Sequence, residues 1–241
     1  MAETAPPLID IAGLRKDHHA VEPLRIRRLT VAAGDRILLS GLDAGATELL
    51  VHLITGSVLP DEGDVRVGGH DTRDIATDTE WLTSLDRFGI VTDRAVLLEG
   101  LSIAANLALP MTVAIDPMSD EVRGRVSALA ADVGLPAVRL DTAASTLTPD
   151  ERVRVHVARA LVSDPAILLL EHPTAGVRGQ AESQAVGRML RAVADARGLG
   201  WVAATEDDAF ARAAGGRRLR LEPGTGRWVP DSLWRRLWRS G

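Results

Sequence analysis

The sequence predicts an α/β protein in which helices alternate with the strands of a mostly parallel sheet. The first observation is a set of short apolar segments, each of the length of one buried strand, at 36–40, 166–170 and 200–205. The second is a helical pattern from about 179 to 197, between the last two segments. The third is the stretch 79–165, which is mostly helical in pattern and is interrupted by glycine and proline. We therefore expect an alternating α/β plan with a long, mostly helical stretch in its middle.

Composition sets limits on the class of protein. The chain has 241 residues and 46% hydrophobic content, which is ample for a packed core in one large or two small domains. It has no cysteine, which excludes disulfides and thiolate metal sites. The net charge of -5 argues against a nucleic-acid partner. No basic, apolar leader and no apolar run of about 18 residues is present, so we expect a soluble chain that reaches a membrane only through a partner.

The first third of the chain predicts short strands around one helix. The strands are expected at 8–11, 24–31 and 65–67, the last of them after a turn-rich break at 59–64. A helix is expected to end at Gly56. This pattern predicts a part built of short β segments at the amino terminus.

Residues 41–48 have the length and position of a phosphate-binding loop between a strand and a helix. They are Gly41, Leu42, Asp43, Ala44, Gly45, Ala46, Thr47 and Glu48. A working loop has lysine for the β- and γ-phosphates and a hydroxyl for Mg²⁺ where this chain has Thr47 and Glu48. Lys16 is the only lysine, so no neighbouring lysine replaces the missing one. We expect Glu48 in the first helical turn, where its carboxylate opposes phosphate.

Several further segments, in order, resemble the nucleotide-binding subunit of an ABC transporter from about Ile9 to Gly226. They are the turn at 34–36, the turn 59–65, and the segments 88–93, 101–107, 147–161, 166–174 and 202–208. The stretch 108–111 is most similar to the lipoprotein-release, macrolide-export and cell-division branch. The resemblance implies a P-loop NTPase-like ABC cassette over 8–226, with an amino-terminal antiparallel β part, a central mostly parallel sheet and a helical subdomain at about 94–165.

The resemblance also implies roles for four residues that depart from the family pattern. Glu171 stands where the family has the metal-orienting aspartate, and His172 where it has the glutamate that polarises water. Asp93 replaces a glutamine, and Glu206 replaces the histidine of the switch strand. We therefore name Glu171, His172 and Glu206 as candidate catalytic residues and Asp93 as a nucleotide contact. His172 is interpreted either as a tolerated replacement or as a general base near neutral pH.

The family signature corresponds to a helix start in this chain. The residues are Leu147, Thr148, Pro149, Asp150 and Glu151. Thr148, proline at the first helical position and Glu151 together predict a capping box. The two interpretations are a helix end capped by its own side chains and a signature that still contacts a partner's nucleotide. Arg178 stands at the family's dimer-crossing aspartate.

Two segments are open to more than one interpretation. His18 and His19 lie near the position at which the family stacks a ring on adenine, or they belong to an ordinary turn. Residues 227–241, outside the resemblance, form a Trp/Arg-rich amphipathic tail. Such a tail lies on an anionic membrane surface, docks on a partner or folds back on its own domain.

These observations predict a cytoplasmic ABC cassette, peripheral on the inner face of the cell membrane. The resemblance implies ATP and Mg²⁺ as cofactors, although the altered loop predicts weak binding or none. It implies an integral membrane permease and a second ABC subunit as partners, with 93–111 as the coupling surface. We expect a structural or regulatory half of a dimer. The alternatives are a weak or unconventional ATPase and a non-transport protein-binding scaffold.

Overall fold

A computed structural model describes residues 6–18 and 22–230. Within them the strands are β1 (Ile9–Lys16), β2 (Leu24–Val31), β3 (Arg36–Ser40), β4 (Glu62–Val67), β5 (His70–Asp71), β6 (Phe88–Val91), β7 (Ile167–Glu171), β8 (Gly200–Ala204), β9 (Arg217–Glu222) and β10 (Arg227–Pro230). The helices are α1 (Ala44–Ile54), α2 (Asp78–Leu85), α3 (Ile103–Ala108), α4 (Asp120–Asp132), α5 (Pro149–Ala160), α6 (Gln180–Arg197) and α7 (Asp208–Ala214). The predicted α/β class is confirmed.

The central sheet has the strand order β10-β9-β3-β8-β7-β6, with parallel pairing except at β10. Its inner strands β7 and β8 are buried on both faces. Leu168 and Leu170 of β7 pack in a core with the helices α3 to α7, whereas Ile167 and Leu169 pack in a second core with α1 and the antiparallel sheet. Successive side chains of a strand point to opposite faces, so β7 is apolar at four consecutive positions. This explains the uninterrupted apolar pattern that predicted the strand.

The antiparallel sheet that the resemblance implied is present and has the order β2-β1-β4-β5. Its two central strands approach closely at a pair of glycines. A Cβ on Gly63, whose φ is 80°, would lie 2.3 Å from the carbonyl of Gly13. The pairing register between β1 and β4 shifts at this point, between Ala12 and Arg15. Only glycine fits such a contact, which bends the sheet over α1 and the loop before it.

The stretch that the sequence assigned as mostly helical contains one strand, β6. β6 pairs with β7 in parallel along all four of its residues. Gly89 makes this position possible, because a Cβ there would lie 2.4 Å from the Leu168 side chain and 2.6 Å from the Ala160 carbonyl. A four-residue apolar run does not distinguish a strand from a helix by periodicity, which is why the sequence missed it.

The tail assignment needs a correction at its first residues. Arg227–Pro230 form β10, which pairs antiparallel with β9, and Trp228 packs against the core beneath the antiparallel sheet. The burial of this indole extends the folded unit past 226. The rest of the predicted tail, 231–241, and His19 lie outside the described residues. No helix in 6–18 or 22–230 is long and apolar enough to cross a membrane.

Candidate functional site

The loop after β3 is shorter than the sequence predicted. α1 begins at Ala44, with Asp43 as its N-cap, so only 41–43 lie between strand and helix. Gly41 has a φ of 79°, and a Cβ there would lie 2.7 Å from the Leu221 carbonyl, so this position requires glycine. Because α1 begins early, Glu48 lies in its second turn, and the expectation that Glu48 occupies the first turn was wrong.

Carboxylates of the chain itself bond to two backbone amides, one in this loop and one in the first turn of α1. The Asp43 carboxylate accepts a hydrogen bond of 2.7 Å from the Ala46 N–H. The Glu206 carboxylate accepts one of 2.6 Å from the Gly41 N–H, and its other oxygen lies 3.3 Å from Arg220 Nη1. Backbone amides at the start of a helix are the donors that bind phosphate oxygens in such loops. Here Asp43 and Glu206 supply the anionic oxygens instead.

Thr47, at the position of the missing lysine, is buried and faces His172. The Thr47 Oγ1 and His172 Nε2 atoms lie 3.0 Å apart, and Thr47 is only 2% exposed. His172 follows β7 directly and has a φ of 42°, the left-handed region that non-glycine residues adopt infrequently. Its amide donates to the Ala204 carbonyl, which fixes the turn. The contact therefore joins the loop to the end of β7.

Arg94 is a site residue that sequence reasoning missed. Its guanidinium forms ion pairs with Glu48 and with Glu171, the latter at 2.5 Å. Glu171 is 7% exposed, and its burial raises the pKa of the carboxyl, an effect that Arg94 opposes. Arg94 comes from the segment after β6, far along the chain from both carboxylates, and no local pattern marks it. It brings a positive charge into the site between two acids.

The structure brings predicted site residues from three segments to one cleft of about 410 Å³. It is lined by Ala44, Gly45, Glu48, Asp93, Arg94, Glu171, His172 and Ala175. Glu206 joins the site through its bond to Gly41. Leu147 and Pro149 line a neighbouring cleft of about 300 Å³, to which Asp93 and His172 also contribute. The predicted signature thus lies beside the loop site within the same chain.

The capping box predicted at the start of α5 is confirmed. The Glu151 N–H donates to Thr148 Oγ1 at 3.4 Å, and the Glu151 carboxylate accepts from the Thr148 N–H at 3.0 Å. The Arg139 guanidinium donates to both Glu151 oxygens, at 3.0 and 2.8 Å, and lowers the pKa of that carboxyl. The Thr148 hydroxyl itself donates to Asp150 at 2.7 Å. This helix end is therefore satisfied by groups within the chain.

One buried histidine of the second cleft was not predicted. His156, on α5, is 7% exposed, and burial lowers its pKa to about 4, with Arg159 and Arg152 acting in the same direction and Asp93 against them. It is therefore neutral at physiological pH.

Comparison with known families identifies the cassette. A family model described as "ABC transporter" matches residues 24–175. The chain belongs to the ABC transporter family. It is 32% identical to the macrolide export ATP-binding/permease protein MacB of Rhodospirillum rubrum, over 96% of this chain and 35% of that protein. It is 29% identical to MacB of Syntrophobacter fumaroxidans, over 90% of this chain and 31% of that protein. The chain thus spans about a third of the length of these relatives.

Solved structures confirm the predicted ABC cassette fold. The cassette cbiO1 of Clostridium perfringens, described as part of the ABC transporter complex cbiONQ, superposes with a TM-score of 0.74 and 18% identity, over 93% of this chain and 87% of that one. The ATP-binding cassette MJ0796, in a dimeric post-hydrolysis state bound to ADP and Pi, superposes with a TM-score of 0.71 and 21% identity, over 92% and 98%. The antiparallel sheet, parallel sheet and helices are those of an ABC cassette.

ABC cassettes normally bind ATP with Mg²⁺, and the side chains of this site do not fit that ligand. Carboxylates bond to the backbone amides at Gly41 and Ala46, and the Thr47 hydroxyl faces His172. The cation of the cleft, Arg94, is engaged by two carboxylates. Among the described residues, no cluster of three or more acidic, histidine or cysteine side chains is arranged to hold a metal ion. The chain therefore has the backbone fold of an ABC cassette, but the charged side chains of its loop site differ from those that bind nucleotide in the family.

Proposed function

We propose that this chain is the cassette subunit of a membrane ABC transporter and acts as a structural or regulatory half, beside a partner cassette with an intact phosphate loop. The observation that carries the proposal is the pair of hydrogen bonds from Gly41 and Ala46 to the Glu206 and Asp43 carboxylates. These bonds use the amides through which a cassette holds phosphate.

Electrostatics favours this closed arrangement over bound nucleotide. A phosphate oxygen that approached Gly41 or Ala46 would meet a carboxylate at the position it needs. Two like unit charges about 4 Å apart repel by about 4 kcal/mol at an effective dielectric of 20. Each 1.4 kcal/mol is about a tenfold change in affinity. One such contact therefore raises a micromolar Kd roughly a thousandfold, to about millimolar. The lysine that offsets this repulsion elsewhere is replaced by buried Thr47.

The dimer arrangement follows from where the substitutions lie. In the family each nucleotide is held between the loop of one cassette and the signature of the other, so two copies of this chain would form two altered sites. A partner with an intact loop would bring its own nucleotide to the Thr148 helix of this chain. The capping box and Asp150 would then face that nucleotide, which supports a regulatory rather than a symmetric role.

A permease partner is supported by the segment 93–111. Val96 is 73% exposed and Leu98 is 47% exposed, although both are apolar. Arg159 donates to the Val96 carbonyl at 2.9 Å and holds this part of the segment in place. An ordered, exposed apolar pair is typical of a contact surface. We propose that a permease covers it and places the chain on the inner face of the membrane.

The nucleotide part of the proposal is tested by calorimetric titration with Mg-ATP. The parent chain should not saturate at millimolar nucleotide. A variant with Asp43→Ser, Thr47→Lys, Glu48→Ser and Glu206→His restores the loop chemistry and should saturate. Tight, Mg²⁺-dependent binding by the parent would contradict the proposal.

The partner role is tested on the complex purified from membranes through a tag on this chain. A permease and a second cassette should co-purify and hydrolyse ATP. Replacing the loop lysine of the second cassette should abolish turnover, whereas Thr47→Ala in this chain should leave it nearly unchanged. Equal loss in both cases would show that this chain holds a working site.

A weak ATPase remains the second candidate, and the contact between Thr47 and His172 favours it. His172 lies in the cleft next to Glu171, with Nε2 within hydrogen-bonding distance of a hydroxyl. A neutral imidazole so held is able to accept a proton from water. ATP turnover by the purified chain that disappears when the His172 ring is removed would favour this candidate.

A further inference from the structure

A cavity of about 350 Å³ lies apart from the loop site, where the end of α1, the hairpin of β4 and β5, α2 and the start of β6 meet. Its walls are largely apolar and include Ile54, Val67, Ile75 and Phe88. None of its lining residues lines the two clefts around Asp93 and His172. The volume and the apolar walls are those of a small-molecule site.

Thr72, in the wall of this cavity, has an unsatisfied hydroxyl. Thr72 is only 4% exposed, and its Oγ1 has no hydrogen-bond partner among the described residues. The Cγ2 methyl of Thr72 packs toward Gly56, where an added Cβ would lie 3.7 Å from it. A buried hydroxyl without a partner costs about 1 to 3 kcal/mol. Thr72 lines the cavity, but its Oγ1 is turned away from solvent, so a ligand oxygen would remove that cost only after a rotation of the side chain toward the cavity.

The other polar groups of the cavity are mostly engaged. Thr55 donates to the Val51 carbonyl, Ser84 donates to the Trp81 carbonyl, and Glu80 accepts from the Ala76 N–H. The Asp71 carboxylate accepts from the Arg73 N–H at 2.9 Å and pairs with the Arg73 guanidinium. The acid and the imidazole that complete the lining are Asp74 and His70.

Arg87 is the cation of this cavity, and its charge is not neutralised by the residues that the structure describes. Its side chain is exposed and forms no ion pair within that part of the chain. Nη1 lies close over Gly68, 2.5 Å from where a Cβ would stand. An arginine with free donors is suited to bind a carboxylate.

We propose that this cavity binds a small monocarboxylate with an apolar body. The carboxylate accepts hydrogen bonds from the Arg87 guanidinium and the Thr72 hydroxyl, and the apolar body packs on Ile54, Ile75 and Phe88. Asp74 and Glu80 also line the cavity, so Arg87 is the one cation of its described lining that offsets a ligand carboxylate, and a second carboxylate would meet repulsion without a cation to offset it. The proposal does not depend on nucleotide binding, because the cavity and the loop site share no residue.

The test is a titration of the full chain with monocarboxylates from butyrate to 3-phenylpropionate, followed by calorimetry and by the NMR signals of the isoleucine methyls. At least one acid should saturate and shift the Ile54 and Ile75 signals. The alcohol 3-phenylpropanol should bind roughly ten- to hundredfold more weakly than its acid, which is the usual effect of a hydrogen bond to a charged group.

Two variants assign the site. Arg87→Gln should weaken binding by the same roughly ten- to hundredfold factor. Its matched control is Arg66→Gln on β4, an exposed arginine outside the cavity lining, which should leave binding unchanged. Thr72→Val should weaken binding while leaving the melting temperature unchanged or raised, because it removes an unsatisfied buried hydroxyl.

Three results would overturn the proposal. They are the absence of saturation by any acid of the series, equal affinity in Arg87→Gln and the parent, and methyl shifts that spare both Ile54 and Ile75. A dicarboxylate such as succinate that bound more tightly than butyrate would refute the role given to Asp74 and Glu80.

Discussion

Thr47 Oγ1 and His172 Nε2 lie 3.0 Å apart, which brings the two most altered positions of the cassette into direct contact. In the family these positions carry a lysine and a glutamate, whereas this chain has a hydroxyl and an imidazole there. The exchange leaves a polar pair within hydrogen-bonding distance. A single reversion at either position would therefore introduce an uncompensated charge.

We expect Arg94→Gln to destabilise the protein by about 1 to 3 kcal/mol, since buried Glu171 would lose its charged partner. Urea denaturation measures the change. The double variant Arg94→Gln with Glu171→Gln should recover most of the loss, because the buried carboxylate is then absent. If both variants were equally unstable, Arg94 would act through packing instead of charge.

Glu206→Gln should increase the affinity of the loop for nucleotide, because it neutralises the carboxylate that accepts a hydrogen bond from the Gly41 N–H. We expect roughly a tenfold gain, the equivalent of about 1.4 kcal/mol. Calorimetric titration with Mg-ADP and Mg-ATP measures it. Glu121→Gln, an exposed acid on α4, is the control that should change nothing. An unchanged affinity for Glu206→Gln would remove this carboxylate from the explanation of weak binding.

The sequence predicted the strands and helices around this site better than the contacts of its charged side chains. The apolar run before Gly41 and the box of Thr148 and Glu151 are local signals, and both gave the observed elements. The roles of Arg94 and of Glu206 were hidden, because each depends on a contact between segments far apart in the chain. Asp43 was visible in the loop, but its role as N-cap depends on where α1 begins. A sequence pattern locates the first residue of a helix only to within one or two positions, because several neighbouring residues are able to act as the N-cap.

Thr148→Ala should cost about 0.5 to 2 kcal/mol of stability, the usual effect of losing an N-cap. Thr148→Ser keeps the hydroxyl and should cost little. Thermal or urea unfolding measures both variants, and ATP turnover of the complex should change only as far as stability does. If Thr148→Ala kept full stability and yet abolished turnover at the partner's loop, the hydroxyl would be a phosphate ligand.

His156 should make stability fall as the pH is lowered from about 6.5 to about 4. The folded state keeps the imidazole neutral because its pKa is lowered to about 4, whereas the unfolded chain binds a proton near 6.5. The unfolded state therefore binds more protons in this window. This lowers the stability of the folded state by roughly 3 kcal/mol near pH 4 and leaves it unchanged above about pH 6.5. His156→Gln should flatten this part of the profile. Parallel profiles for parent and variant would show that the histidine is protonated in the fold.

The left-handed backbone at His172 decides which substitution is informative there. The left-handed conformation costs alanine about 1 to 2 kcal/mol of conformational free energy. His172→Ala would therefore disturb the turn after β7 as well as remove the ring. Asparagine accepts this conformation more readily. His172→Asn therefore separates the chemistry of the imidazole from the path of the main chain, and His172→Gly measures how much of the local rigidity the side chain supplies.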